Sequence, residues 1–113
     1  MSKTIKELAK KNGRVYVYLA NAELGTKFLE QAEAEGFTFG DGVKPTERHY
    51  SEIIAINHDN TINYVGTIGR IAFSSGAKSI GDEELIKVDY QKYIDGAEDY
   101  HYHKEVQNEW DRD

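Results

Sequence analysis

The sequence predicts a single α+β domain, built as a small, mainly antiparallel sheet with one principal packed helix and a short N-terminal helix. Three features predict it. Arg14-Val-Tyr-Val-Tyr-Leu19 alternates with β-branched and aromatic residues, as a strand does. Leu24, Phe28, Leu29 and Ala32 recur at helical spacing. Two β-rich runs, SEIIAIN and TINYV, flank the polar tripeptide His58-Asp59-Asn60, which reads as a hairpin loop joining an antiparallel pair. With 113 residues, the chain is long enough to bury one modest core without disulfides or a metal.

Each element follows from local chemistry. Ser2 is placed to cap a short helix over residues 3–12, in which Ile5, Leu8 and Ala9 share a face and Gly13 supplies the stop. The strand from Arg14 is apolar on both faces, which predicts a central position, with Tyr16 or Tyr18 in the core. Asn21 caps the principal helix, which opens at Ala22 and runs through Glu35 before Gly36 closes it in a left-handed conformation. Phe37-Thr38-Phe39 reads as a short strand ending at the Gly40-Asp41-Gly42 turn, and Lys44-Pro45-Thr46 leads into a turn or a single helical turn over residues 47–50. Gly66 and Gly69 interrupt the next stretch, and Arg70-Ile-Ala-Phe73 is short enough to be strand or helix. In residues 84–90, Leu85, Lys87 and Asp89 alternate with Ile86, Val88 and Tyr90, a strand that closes the sheet, and Tyr93 and Ile94 turn back against its edge. The expected division is one domain over residues 1–104 and an acidic C-terminal tail over 105–113.

Composition narrows the function classes. The absence of cysteine excludes disulfides, a thiolate nucleophile and cysteine-ligated metal, and fits a reducing cytoplasm. The N-terminus lacks the apolar stretch of a signal peptide, and no apolar run is long enough to span a bilayer, so a soluble protein that is neither exported by that route nor bound to membrane is expected. Net charge is −6, concentrated at the C-terminus: residues 1–94 carry thirteen acidic and twelve basic side chains, residues 95–113 seven and two. Such a chain lacks the long-range attraction to phosphate behind generic nucleic-acid binding. Its acidic tail either solvates the C-terminus or engages a basic protein surface.

Two sets of residues carry the candidate chemistry. The segment from Gly36 to Phe73 holds five of the ten glycines and the only proline beside Arg48, His49 and Arg70. Lys44, Arg48, His49 and Arg70 are the residue types that hold a phosphate or carboxylate, with Tyr50 available to stack on a ring. The plainer alternatives are a solvated loop with Arg48 paired to Glu47 or Glu52, and an edge arginine at Arg70. The second set is Glu98, Asp99, Tyr100 and Tyr102, an acidic, tyrosine-rich stretch suited to a protein interface. Tyr50, Tyr100 and Tyr102 are the tyrosines expected at an exposed surface. Asp99, His101 and His103 share one side of an extended chain and are metal-ligating types, although no metal or cofactor is expected on balance. His58 with Asp59 is either a polar hairpin tip or a base oriented by a carboxylate. Gly66-Thr-Ile-Gly69 lacks the basic helical setting of a nucleotide-backbone clamp, and Gly40-x-Gly42 lacks the remainder of a dinucleotide fingerprint.

The stretches NGRVYVYLAN, FLEQAEAEGFTFGDG and KPTERHYSEIIAINHDNTINYVG resemble, in texture, small accessory proteins of phages, prophages and mobile elements of Gram-positive bacteria. The resemblance covers about half the chain and transfers no individual functional residue. It implies counter-defence in the host cytoplasm, either by occupying an effector protein or by sequestering a signalling nucleotide. The expected function is therefore a non-enzymatic binding protein, acting on a host effector protein or a small anionic, nucleotide-like ligand. The alternatives are a small phosphoester or nucleotide hydrolase using His49 or His58 with Glu47 or Asp59, and a structural or regulatory component that self-associates as a homo-oligomer through a strand edge.

Overall fold

A computed structural model describes residues 3–102 of the chain. The expected α+β class is found. Among the described residues six strands form one sheet: β1 (Arg14–Tyr18), β2 (Thr38–Phe39), β3 (Ile53–Ile56), β4 (Thr61–Tyr64), β5 (Ser79–Ile80) and β6 (Glu83–Asp89), in the order β2-β4-β3-β1-β6-β5. The sheet is mixed where a mainly antiparallel one was expected. Antiparallel pairs join β1 to β3, β3 to β4 and β5 to β6, while β1 runs parallel to β6 and β2 parallel to β4. β1 is central, as its two apolar faces require. The predicted hairpin is β3–β4, and Asn60 at φ 65° takes the left-handed position in its turn.

Four α-helices among the described residues cover this sheet: α1 (Ile5–Ala9), α2 (Ala22–Ala34), α3 (Thr67–Ser74) and α4 (Tyr90–Ile94). α1 is shorter than the helix expected over residues 3–12, and its cap is Thr4, whose side chain accepts from the Glu7 N–H; Ser2 lies outside the described residues. α2 has the predicted Asn21 cap. The helical turn expected at residues 47–50 falls earlier, as a 3-10 turn over Pro45–Glu47, because the fixed φ of proline suits the first position of such a turn. The ambiguous run around Arg70 is helical, and Tyr93 and Ile94 belong to α4.

The alternation along β1 divides the core between the two faces of the sheet. Val15 and Val17, with Ile54, Ile56, Ile62 and Val88, pack against α1, α2 and α4 through Leu8, Phe28, Leu29, Tyr90 and Tyr93. Tyr16, with Ile53, Ala55 and Leu85, faces the other way and meets Phe73 of α3. The connection from β1 to β2 carries α2 over the first face, and that from β4 towards β6 carries α3 over the second. These crossovers run in opposite directions along the sheet on opposite faces, which gives both the same hand.

Candidate functional site

The segment following Pro45 is fastened to α2. Thr46 donates to Glu33 Oε1 from its backbone N–H at 3.1 Å and from its hydroxyl at 2.6 Å, and these bonds, the hydroxyl's foremost, hold the Glu33 carboxyl below the usual range. Four residues on, Tyr50 lies against α2 at Gly25, where an added Cβ would stand 2.3 Å from Tyr50 Cγ. A glycine inside a helix costs roughly 1 kcal/mol against alanine, and here it makes room for an aromatic ring. Arg48 bonds Asp41 Oδ2 at 2.6 Å and lies over the Phe39 ring at 4.8 Å. That guanidinium first, and then the Val43 N–H, keep the Asp41 carboxyl below its ordinary value. His49 stacks on Tyr64 at 6.1 Å, and the Tyr64 hydroxyl donates to the His49 carbonyl at 2.7 Å.

The five candidate ligand-binding residues are therefore not assembled into one site. Arg48, His49 and Tyr50 line a groove of about 460 Å³ with Thr26 and Leu29 of α2, whereas Lys44 is exposed and does not line it. Arg70 sits on α3, across the sheet, within 3.3 Å of Glu52. The carboxylate on Arg48 is Asp41, where Glu47 or Glu52 was expected, because the turn through Gly42 at φ 89° folds Asp41 back beside it. Both arginines hold a carboxylate, which an incoming anion has to displace.

α3 presents the more unusual surface. At about 100° per residue, Gly69 and Phe73 fall on one side of this helix and Ile68 and Ile71 on the other. Phe73 is buried, and the missing side chain at Gly69 lets the helix sit on Tyr16 and Val65; a Cβ there would be 2.5 Å from Val65 Cγ1. Ile68 and Ile71 are left 79% and 61% exposed, and with Tyr64 they are the exposed large hydrophobic residues among those described. Thr67, Arg70, Ile71, Ser74 and Ser75 line a shallow depression of about 570 Å³ along the helix. Only once the segment is known to be helical do the isoleucines three apart share one stripe, with Phe73 off it.

The C-terminal stretch serves as an edge of the sheet. The Asp89 N–H donates to the Tyr100 carbonyl at 2.8 Å and the Tyr102 N–H to the Lys87 carbonyl at 2.9 Å, with a bridge between Val88 and His101. Alternate residues consequently pack on opposite faces. Tyr100 meets Tyr93 edge-on at 4.9 Å under Lys11 Nζ, and Tyr102 lies 4.7 Å from both Tyr18 and Phe73. Tyr50, Tyr100 and Tyr102, expected as exposed tyrosines, are each half-buried because their rings complete these packings. Beside them Lys87 stands over Phe73 at 5.7 Å, its ammonium pushed down by burial, while burial and then Glu52 and Asp89 push the Tyr18 hydroxyl up. Glu98 is exposed, and Asp99 accepts from the His101 backbone N–H at 3.1 Å.

The two histidines weighed as hydrolytic bases contact backbone carbonyls, His49 Nδ1 lying 3.2 Å from that of Tyr50. His58 Nδ1 contacts the Ala9 carbonyl at 2.6 Å, whereas Asp59 accepts from the Thr61 hydroxyl at 2.6 Å. His101 Nδ1 lies 3.2 Å from Asp99 Oδ1; His103 and the tail over 105–113 lie outside the described residues. Among the described residues no three or more His, Asp or Glu side chains converge as a metal site, and no helix is long and apolar enough to cross a membrane. No protein-family model, curated protein or solved structure matches the chain.

Proposed function

We propose that this chain is a non-enzymatic binding protein that inhibits a protein partner by docking through the outer face of α3. The observation that carries this reading is the pair Ile68 and Ile71, adjacent on one short helix and left open to water while Phe73 of the same helix is buried. Single exposed hydrophobic residues are ordinary, but two on one stripe above a shallow depression form a patch. Full burial of an isoleucine is worth about 1.5–3 kcal/mol, so the pair supplies an interface core, with Arg70 at its rim. The anion-sequestering alternative has less support, since Arg48 and Arg70 lie apart and each already faces a carboxylate.

The test is quantitative capture from a cell extract, with native mass spectrometry of the complexes. The wild-type chain retains a protein in fixed stoichiometry, and Ile71→Asp, at a position already open to water, lowers that affinity by at least about 30-fold, the equivalent of roughly 2 kcal/mol, without a change in melting temperature. Undiminished capture by Ile71→Asp sinks the proposal. A nucleotide retained by the wild-type chain and lost on Arg48→Ala turns the assignment to the groove beside α2.

A further inference from the structure

Asparagine or aspartate precedes glycine three times in this chain, at Asn12-Gly13, Asp41-Gly42 and Asp95-Gly96. In such a pair the backbone nitrogen of the glycine can attack the preceding side-chain carbonyl carbon, because no β-carbon hinders its approach. The fold treats the three pairs differently. The Gly42 N–H donates to the Phe39 carbonyl at 2.8 Å, and the Gly96 N–H to that of Tyr93 at 3.2 Å. Their carboxylates are engaged too, Asp41 by Arg48 and the Val43 N–H, and Asp95 by the Gln91 amide. At the first pair, neither the Asn12 side chain nor the Gly13 N–H has a hydrogen-bonding partner among the described residues. Asn12 is exposed, in the loop between α1 and β1. Gly13 is held at φ 124°, where an added Cβ would stand 2.6 Å from the Glu84 carbonyl oxygen. The close approach of β6 therefore demands glycine at this position, and the residue before it decides whether the pair is reactive.

We propose that Asn12 is a site of spontaneous covalent modification, deamidating in the folded chain through a succinimide to aspartate and isoaspartate. The Gly13 nitrogen gives up its proton and bonds to Asn12 Cγ, and the side-chain nitrogen leaves as ammonia, taking up a proton in exchange. Water then opens the ring. Cleavage between the Gly13 nitrogen and Cγ yields aspartate; cleavage between that nitrogen and the main-chain carbonyl carbon of Asn12 yields isoaspartate, whose main chain is longer by a methylene. In sum a water is consumed, an ammonia is released and no oxidant or reductant takes part. The new carboxylate falls beside a depression of about 450 Å³ that Asn12 shares with Asp82, Glu83 and Glu84. Like charges thus gather where Arg14 begins its pairing with Leu85, and the converted chain holds the start of β1 less firmly.

The test follows the full chain over time at neutral pH, folded and in guanidinium chloride, by peptide mapping with mass spectrometry. Isoaspartate is located by electron-transfer fragmentation. Asn12 is expected to convert at similar rates in both states, and faster as pH is raised, since the attacking nitrogen must lose its proton. Folding should slow isoaspartate formation at Asp41 and Asp95 by about tenfold or more, the equivalent of opening one hydrogen bond. Asn12→Gln, whose larger ring closes far more slowly, should remove the modification and leave the far-ultraviolet circular dichroism unchanged. The converted fraction, separated by anion exchange, should unfold at a lower denaturant midpoint. Protection of Asn12 by folding to the same degree as Asp41 and Asp95 overturns the proposal, as does a folded chain in which either aspartate forms isoaspartate faster than Asn12. An unaltered midpoint in the converted fraction overturns the consequence for β1.

Discussion

Gly25 shows how one absent side chain sets the course of a whole segment. It is the fourth residue of α2, where intrinsic propensity favours alanine by up to roughly 1 kcal/mol. An alanine methyl would meet Tyr50 at Cβ, Cγ and Cδ2, the base of the ring, so rotation of the side chain cannot relieve the clash. Tyr50 must leave α2, and overpacking of this kind costs about 1–3 kcal/mol. Gly25→Ala is therefore expected to lower the melting temperature despite its better helix propensity, whereas Lys27→Ala, exposed on the same helix, leaves it nearly unchanged. A thermal melt of the two variants checks the contrast; a stabilised Gly25→Ala would show that Tyr50 does not lie on the helix in solution.

At the scale of elements, α3 depends on the same device turned towards the sheet. Gly69 gives it contact with Val65 and with the Tyr16 hydroxyl, which lies 3.0 Å from where a Cβ would be, so Gly69→Ala must lift the helix or displace buried Val65. Gly69→Ala should destabilise the fold by about 1–2 kcal/mol in denaturant titration, while Gly40→Ala, whose added methyl meets nothing within 4 Å, should be tolerated. An unchanged denaturation midpoint for Gly69→Ala would mean that α3 packs more loosely than described. Elements whose pattern repeats were legible in the sequence: β1 by its alternation, α2 by its apolar spacing and cap, and the hairpin by its polar turn. α3 was not, because eight residues with apolar side chains on two stripes carry no single period. Parallel pairing of β1 with β6 was also hidden, since register across some seventy residues depends on how crossovers pack and leaves no local mark. Of the candidate site, the residue types around Pro45 could be read, but not the division of Arg48 and Arg70 between two faces, which the path of β3 and β4 decides.

For the whole molecule, two buried tyrosines near the end of the described chain close the first face over its beginning. Tyr90 packs edge-on against Phe28 at 5.2 Å, and its hydroxyl donates to the Gln31 side-chain oxygen; the Tyr93 hydroxyl donates to the Thr4 carbonyl at 2.5 Å. The Gln31 amide donates in turn to the Lys3 carbonyl at 2.9 Å and to Glu35, whose carboxylate accepts the Ile5 and Lys6 N–H groups at the start of α1. α1, α2 and α4 are thereby held in one hydrogen-bonded chain. Burial raises both hydroxyls well above their ordinary value of 10.0, with Glu35 adding to the effect at Tyr90 and Glu7 at Tyr93. The direction of linkage follows. Below pH 10 both tyrosines are protonated folded or unfolded, and their contribution is constant. Above it the unfolded chain releases these protons while the folded one retains them, so stability falls as pH rises. Denaturant midpoints are expected to be level from neutral pH to about pH 9 and to drop from about pH 10 upward. Tyr93→Phe should be less stable at neutral pH through the lost bond to Thr4, yet show a shallower alkaline decline, because one of the linked protons is gone. A decline equally steep in Tyr93→Phe would assign the alkaline sensitivity to other groups and leave the closure of the first face to apolar packing alone.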